Sequence, residues 1–480
     1  MTIMGLGLFG GGLGAASFAL RKGARVTVTD QRDAETLRDA VEALRALPGS
    51  ERVHLVLGEH REEDFRSADI VIVNPAVPPK APFIGMAREG GARVTTAIEL
   101  LLGGLGCRVV AVTGTHGKSS TVHFTAHLLR AALGPDVRVA LGGNIGGSLL
   151  GELESFGPDD VVVLELSSYQ LEHLSESFVA EAARTRVLDV AAITTLGVDH
   201  LARHGTIENY HAAKRRIGEL TGQLGPDPGT VIVPAATAGS FTGVQRLILH
   251  DEESSGPPSW RRTATEALRV PGAFQRENLG LALRIGSALG ADETAMAQAI
   301  PGLTGLPHRM ERLTEMTTLR DGRVLLVHDN GVSTTPESTV SALESLGSPA
   351  GERVVLVGGQ AKEGCDMAAL VRTAARLDWE IVPFGAAARE IAEAGRLAGA
   401  RLRGPGAAGD GQKGDAWPAG AEAAVDAALE SSSSGPAAAA CVGLAPLNVL
   451  FSPACASFDR YPNFSARAEA FRRAMAAHLA

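Results

Sequence analysis

The run Arg108-Val-Val-Ala-Val-Thr-Gly-Thr-His-Gly-Lys-Ser-Ser-Thr121 decides how the rest of the chain is read. Its β-branched start, Val109 to Val112, predicts a buried strand. The strand empties into Gly114-Thr-His-Gly-Lys-Ser119, and Ser120 to Leu133 then carries a helical pattern. Together these make a phosphate cradle. Glycines let backbone N–H groups turn inward, and the helix start adds a positive dipole. In such a cradle Lys118 reaches the β- and γ-phosphates and the Ser119 hydroxyl faces Mg²⁺. A full Walker pattern carries a glycine at 112, where this chain has Val112, so the loop reads as a shortened one. The bland alternative is a glycine turn with a solvated lysine, and the surrounding chain argues against it.

At 480 residues the chain is too long for one ordinary core, which predicts several domains. Apolar residues make up 45% and charged residues 21%, a soluble globular composition. A net charge of -9 argues against nucleic acid as the main partner, since phosphate backbones need clustered Lys and Arg. Cys107, Cys365, Cys441 and Cys455 are scattered, which suits a reducing compartment and no structural zinc. With no basic, apolar leader and no 18-residue apolar run, the expectation is a cytoplasmic protein without a membrane partner.

Upstream, Gly5-Leu-Gly-Leu-Phe-Gly10 precedes a helical pattern from Leu13 to Arg21, and a strand from Ala24 to Thr29 ends in Asp30. That is a dinucleotide-type fingerprint, weak as a nicotinamide signal because its first strand is so short. It predicts a nucleotide-like ligand at the carboxyl ends of a parallel sheet. A strand from Asp69 to Val73 runs into Asn74-Pro-Ala-Val-Pro78, and another covers Ala92 to Thr95. Gly103, Gly104 and Gly106 read as a linker, closing a first domain at 1–104.

The central domain is expected at 105–311. Val137 to Leu141 leads into Gly142-Gly-Asn-Ile-Gly146, which places Asn144 on a tight loop as either a ligand contact or a structural turn residue. Asp160 to Leu164 is a strand ending at Glu165, the place where an acid holds Mg²⁺ beside phosphates. Capping the next helix is the competing role for Glu165. The strand Ala191 to Thr195 leads to Asp199-His200, and a helical segment further on carries Lys214. Each would be unremarkable alone; both converge on the same sheet edge. Phe274-Gln275 starts an amphipathic helix through Leu289, and Arg309 is placed for a phosphate fork or as a plain hinge arginine. In the third domain, 312–480, strands at 324–327, 353–357, 380–383 and 449–451 alternate with helical runs. Residues 398–421 and 431–436 read as flexible insertions. The expectation is α/β throughout: a Rossmann-like N-terminal domain, a central P-loop ATPase domain, and a C-terminal domain with a mainly parallel sheet.

Gly114-Thr-His-Gly-Lys-Ser119, Gly143-Asn-Ile-Gly146, Glu165-Leu-Ser-Ser-Tyr-Gln-Leu-Glu172, Gly305-Leu-Pro-His-Arg-Met-Glu311 and Leu450-Phe-Ser-Pro-Ala-Cys-Ala-Ser-Phe-Asp459 together resemble the Mur ligase family of peptidoglycan synthesis. The resemblance covers the chain apart from the two insertions, and the last run, with Asn463-Phe464, favours the glutamate-adding member. It implies an ATP-dependent ligase that adds D-glutamate to UDP-N-acetylmuramoyl-L-alanine through an acyl phosphate, acting as a monomer. Gly114, Thr115, Gly117, Lys118, Ser119, Ser120 and Asn144 would hold ATP, with Gln275 and Asn278 at adenine. Arg309 and Asp329 would take the ribose and domain-closing roles. Two Mg²⁺ ions would be held by Ser119, Glu165, His200 and a carbamylated Lys214; Lys118, Glu165, His200 and Lys214 are the catalytic set. Leu8, Phe9, Gln31, Arg32, Asn74 and Ser167 would bind the UDP substrate, and Ser333, Lys362, Ser457, Phe458 and Phe464 the glutamate.

Some positions depart from the family pattern. Gly331 stands where a pocket lysine is usual, Phe274-Gln275 replaces His-Asn, Ala202 replaces an aspartate, and Glu363 is an extra residue. Losing a lysine removes a charge that could pair with a substrate carboxylate. L-Glutamate or another amino acid therefore stays open as the added group. A nicotinamide-dependent dehydrogenase, suggested by Gly5, Gly7 and Gly10, leaves the phosphate loop unexplained.

Overall fold

The computed structural model describes the chain except at residues 8–9, 251–264, 314–316, 320–322, 362–365, 405–416, 431–445 and 480. It holds three sheets in two compact units: Met1–Ala267 with Glu277–Gly302, and Leu268–Arg276 with Leu303–Ala480.

The first unit contains two sheets. One comprises β1 (Thr2–Met4), β2 (Val26–Asp30), β3 (Val53–Leu57), β4 (Ile70–Val73) and β5 (Arg93–Thr95), all parallel, in the order β3-β2-β1-β4-β5. Strand β1 lies between β2 and β4, so its glycine loop opens where the strand order reverses, the usual ligand crevice of such sheets. Gly12 is required there: a Cβ on it would meet the Leu6 carbonyl oxygen at 2.4 Å.

The other sheet comprises β6 (Arg108–Thr113), β7 (Val139–Gly143), β8 (Val161–Glu165), β9 (Val190–Ile193), β10 (Thr230–Val233) and β11 (Leu247–Leu249). All are parallel, in the order β11-β10-β9-β6-β8-β7. Val109 and Ala111 enter one core while Val110 and Val112, facing the opposite way, are equally buried. A parallel strand covered on both faces needs such a continuous apolar run, and each buried valine contributes about 1.5–3 kcal/mol. The register sets Val112 beside both Glu165 and Ala192, and Gly143 beside Glu165. Strands β6 to β9 therefore end at one level, with the phosphate loop, Glu165 and the loop toward His200 leaving from a single edge.

The second unit is built on β12 (Glu311–Arg312), β13 (Thr317–Thr318), β14 (Val324–Asp329), β15 (Glu352–Gly358), β16 (Glu380–Phe384) and β17 (Leu447–Ala454). The order is β12-β14-β17-β15-β16; β12 and β13 pair antiparallel with β14, and the rest are parallel. Two cores cover its faces, and Phe274 and Met310 pack into one of them.

Three local expectations change. The glycines read as a linker end a helix, Ala97–Gly104, capped by Thr96, whose hydroxyl accepts from Glu99 N at 3.1 Å. Gly142 and Gly143 lie inside β7, because only glycine fits there: a Cβ on Gly143 would sit 2.3 Å from the Glu165 carbonyl oxygen. The flanks of the 398–421 insertion are packed: Leu402 bridges in parallel to Ile381, and the buried Arg403 pairs with Glu380 and Glu352. The centre of that insertion and residues 431–436 lie outside the described residues. Among the described residues no helix is long and apolar enough to cross a membrane.

Candidate active site

The helix Lys118–Leu133 begins directly at the loop, and Gly117 caps it in the left-handed region (φ 83°). A Cβ on Gly114 (φ 144°) would lie 1.9 Å from Thr194 Oγ1, so the loop closes tightly on the segment after β9. Further bonds lace the two together. Thr115 N donates to the Thr195 carbonyl at 2.8 Å, and His116 N donates to Thr195 Oγ1 at 3.1 Å. Thr115 Oγ1 accepts from Gly197 N at 2.8 Å and from Tyr210 OH at 3.2 Å. Burial pushes the Tyr210 hydroxyl's pKa upward, so it stays a donor.

Lys118 Nζ donates to the carbonyls of Gly114 and Thr115, both at 2.9 Å. Lys214, from the helix Ile207–Glu219, donates to the same Gly114 carbonyl at 2.7 Å and lies over the Tyr210 ring. Its ammonium is buried, and that desolvation, with the charge of Lys118 beside it, brings its pKa down to about 6.

Glu165 is buried at the end of β8. Its Oε1 accepts from Asn144 Nδ2 at 2.8 Å, and Asn144 N donates to the Glu165 carbonyl at 2.8 Å. Its Oε2 is buried without a hydrogen-bond partner among the described residues. An ionised oxygen left so is costly, and a cation with oxygen ligands would satisfy it. Among the described residues no three His, Cys, Asp or Glu side chains gather as a metal set. Mg²⁺ here would draw its other oxygens from Ser119, from phosphate and from water. His200 adopts a left-handed conformation (φ 53°) and caps the one-turn helix Leu201–His204, with Nδ1 3.4 Å from Tyr169 OH. Ser119 and Ser120 are buried at the helix start. Asn278 lies against the loop, its Oδ1 accepting from Thr121 Oγ1 at 3.4 Å, and it shares the helix Ala273–Ala288 with the buried Gln275.

On the first sheet, Asp30 accepts from Gly7 N at 3.1 Å and from Arg32 N at 3.0 Å, fixing the Gln31-Arg32 turn beside the glycine loop. Asn74 Nδ2 reaches the Gly5 carbonyl at 3.4 Å. A cleft lined by Gly5, Gly12, Asn74, Gly143, Ser148 and Gln170 joins this edge to that of the second sheet. Ser167 is engaged as a helix cap: its hydroxyl accepts from Gln170 N at 3.2 Å and its N–H donates to Gln170 Oε1 at 2.8 Å. Leu8 and Phe9 lie outside the described residues.

In the second unit, Asp329 is buried at the end of β14 and accepts from Arg472 Nε at 2.7 Å and from Gly331 N at 2.8 Å. Its Oδ2 also lies 2.7 Å from His308 Nδ1. Arg309 sits between two left-handed residues, His308 and Met310. Ser333 and Ser457 are buried, the former 2.8 Å from Thr339 Oγ1, while Phe458 is exposed and Phe464 begins the last helix. Lys362 lies outside the described residues. One residue that sequence reading missed is Arg467. It is fully buried and donates to the carbonyls of Cys455 at 2.9 Å, Ala456 at 3.1 Å and Ser333 at 3.3 Å, joining the ends of β14 and β17. Nothing in its amphipathic helix distinguishes it from a surface arginine.

Residues 1–96 match the Mur ligase MurD-like N-terminal domain and residues 112–238 the Mur ligase middle domain. A protein of Geobacter metallireducens named UDP-N-acetylmuramoylalanine–D-glutamate ligase is 32% identical, covering 99% of this chain and 97% of its own. One of the same name from a Roseiflexus species is 31% identical, covering 98% and 97%. Among solved structures, UDP-N-acetylmuramate–alanine ligase from Thermotoga maritima aligns with a TM-score of 0.59 at 16% identity, covering 99% of both chains. A pseudomurein peptide ligase from Methanothermus fervidus gives 0.51, also at 16% identity, covering 98% of this chain and 99% of its own. These two share the fold. With full-length relatives above 30% identity, a matching first domain and a phosphate loop in place, the dehydrogenase alternative falls away, and the chain belongs to the Mur ligase family.

Proposed function

We propose that this chain is an ATP-dependent ligase joining D-glutamate to UDP-N-acetylmuramoyl-L-alanine, a step of peptidoglycan precursor synthesis. The observation that carries the chemistry is the convergence at Gly114, whose carbonyl receives both Lys118 and Lys214 at the edge where Glu165 ends its strand. The relatives' common name supports the choice of substrates.

In this reading the alanyl carboxylate attacks the γ-phosphorus of ATP, ADP leaves, and the glutamate amine then displaces phosphate from the acyl carbon. Lys118 neutralises charge on the phosphoryl oxygens, and the backbone N–H groups of 114–120 orient them. Ser119, Glu165, His200 and a carbamylated Lys214 would hold two Mg²⁺ ions. Bound there, such ions supply further neutralisation of the developing charge. Asn144 fixes one oxygen of Glu165, and the other has no hydrogen-bond partner among the described residues. With a pKa of about 6, Lys214 is largely the free amine at neutral pH, the form that adds CO₂. The carbamate would replace a cation beside Lys118 with an anion. Gln275 and Asn278 would serve adenine, Arg309 and Asp329 the ribose, and Gln31, Arg32 and Asn74 the uridine diphosphate. Ser333, Ser457, Phe458 and Phe464 receive glutamate. Soluble substrates suit a cytoplasmic enzyme.

The test is ADP release that requires both the UDP-linked acceptor and an amino acid, with amide product identified by mass spectrometry. Lys118→Ala should lower the maximal rate by about 100- to 1,000-fold, the cost of losing a donor to developing charge, while circular dichroism stays unchanged. Near-normal turnover in that variant contradicts the assignment.

A further inference from the structure

We propose that Arg203 is a positioning residue that straps the substrate loop at 74–78 to the His200 loop, coupling the UDP-substrate end of the site to its phosphate end. The loop itself creates the demand. Pro75 and Pro78 have no N–H, Val77 N is turned back to the Asn74 carbonyl at 3.0 Å, and Ala76 N goes to Asn74 Oδ1 at 3.0 Å. The carbonyls of 75, 76 and 77 are left needing donors from outside the loop, and three of them converge on one guanidinium. Arg203 Nη2 donates to Pro75 O at 3.2 Å and to Val77 O at 2.9 Å, and Nη1 donates to Ala76 O at 3.2 Å.

The guanidinium is held from behind. Its Nε donates to Glu172 Oε2 at 3.1 Å, and its plane lies over the Tyr169 ring, 4.8 Å from the centroid. His173 Nε2 lies 2.7 Å from the Val77 carbonyl and so donates to it. Its 3.1 Å approach to Arg203 Nη2 is therefore a meeting of two donors, tolerable only while the imidazole is neutral. Burial lowers the His173 pKa, in keeping with that neutrality. A lysine would supply one point charge and could not span three carbonyls in a fixed plane.

What makes this a coupling element is where each end leads. Arg203 sits on the one-turn helix that His200 caps, and its own N–H donates to the His200 carbonyl at 3.0 Å. At the other end, the loop sets Asn74 against the β1 glycine loop, where a Cβ on Gly5 would meet Asn74 Cβ at 2.9 Å. A shift of the His200 turn is thus transmitted through one rigid fork to Asn74. The proposal takes the identity of its substrate from the ligase reading above; the strap itself does not depend on it.

The experiment compares wild type with Arg203→Met, Arg203→Lys and Glu172→Gln. Hydrogen exchange of the 76 and 77 amides should accelerate about tenfold or more in Arg203→Met without a matching rise in the strands of the second sheet. Steady-state kinetics on the same proteins should show the Michaelis constant for the UDP-linked acceptor raised about tenfold or more, with that for ATP within about twofold. Arg203→Lys should recover little of either, and Glu172→Gln should show the same pattern more weakly. Should Arg203→Met fail to fold, Glu172→Gln and Arg203→Lys carry both readouts. Unchanged loop exchange overturns the strap. Faster exchange with an unchanged acceptor constant, or with equal losses for acceptor and ATP, overturns the coupling. A wild type without ligase activity would sink the function proposed above, and loop exchange would still decide the strap.

Discussion

Lys214 Nζ donates to the carbonyl of Gly114 at 2.7 Å, which places a buried amine inside the phosphate loop itself, next to Lys118. Burial, with the charge of Lys118 beside it, brings the Lys214 pKa down to about 6, so the carbonyl need not face two ammonium groups. In the folded protein that pKa lies below its ordinary value. The stability associated with the neutral amine is therefore present at high pH and lost as pH falls through about 6. Lys214→Met should abolish ligation, yet in bicarbonate-free buffer at pH 7 it should melt higher than wild type, because it removes a buried basic group. Differential scanning calorimetry reads the second effect. On wild type, ¹³C-bicarbonate should give a carbamate resonance that Lys214→Met lacks; a wild type without that resonance contradicts the carbamate.

Gly331, where the family pattern has a lysine, has no room for a side chain. A Cβ there would lie 2.5 Å from Ala468 Cβ and 2.9 Å from Asp329 Oδ1. Restoring a lysine would therefore overpack the third sheet before it could reach a substrate. Gly331→Ala should destabilise the protein by about 1–3 kcal/mol, read as a lower urea midpoint with an unchanged slope. A neutral Gly331→Ala would show that the last helix yields easily.

The phosphate loop, its helix and the parallel strands were legible because each rests on local pattern: a β-branched run, spaced glycines, then a 3.6-residue period. Glu165 was legible for the same reason, as an acid closing a valine-rich strand. Arg467 and Arg203 were not. Each lies in a short or amphipathic helix whose pattern predicts a solvated arginine, and what makes it central is a set of carbonyls brought in from distant strands and loops. Nor was it visible that Ser167 is occupied as a helix cap, although Gln170 three residues on is the other half of that signature. Gly103 and Gly104 misled because glycine is a poor helix former, yet here both are helical, the last two residues of Ala97–Gly104.

His173 and His204 give the protein an acid-side weakness. Burial lowers both pKa values from the ordinary value near 6.5. Their contribution to stability is complete above that value and is lost as pH falls through the lowered ones. His204 Nε2 is 3.0 Å from Ser168 Oγ, His173 touches Arg203, and Glu172 partly offsets the shift of each. His173→Gln, whose amide can still donate to Val77, should lose less melting temperature than wild type between pH 7.5 and 5.5. Parallel curves for the two proteins would contradict this role.

The central claim is the transfer of D-glutamate, and the direct measurement is the specificity constant for each amino acid with UDP-N-acetylmuramoyl-L-alanine and ATP. D-Glutamate, L-glutamate, D-aspartate and L-lysine make the panel. D-Glutamate should lead every other by about tenfold or more, a difference of about 1.4 kcal/mol in transition-state binding. A higher constant for L-glutamate or L-lysine would contradict the D-glutamate assignment, even with the phosphate loop working as described.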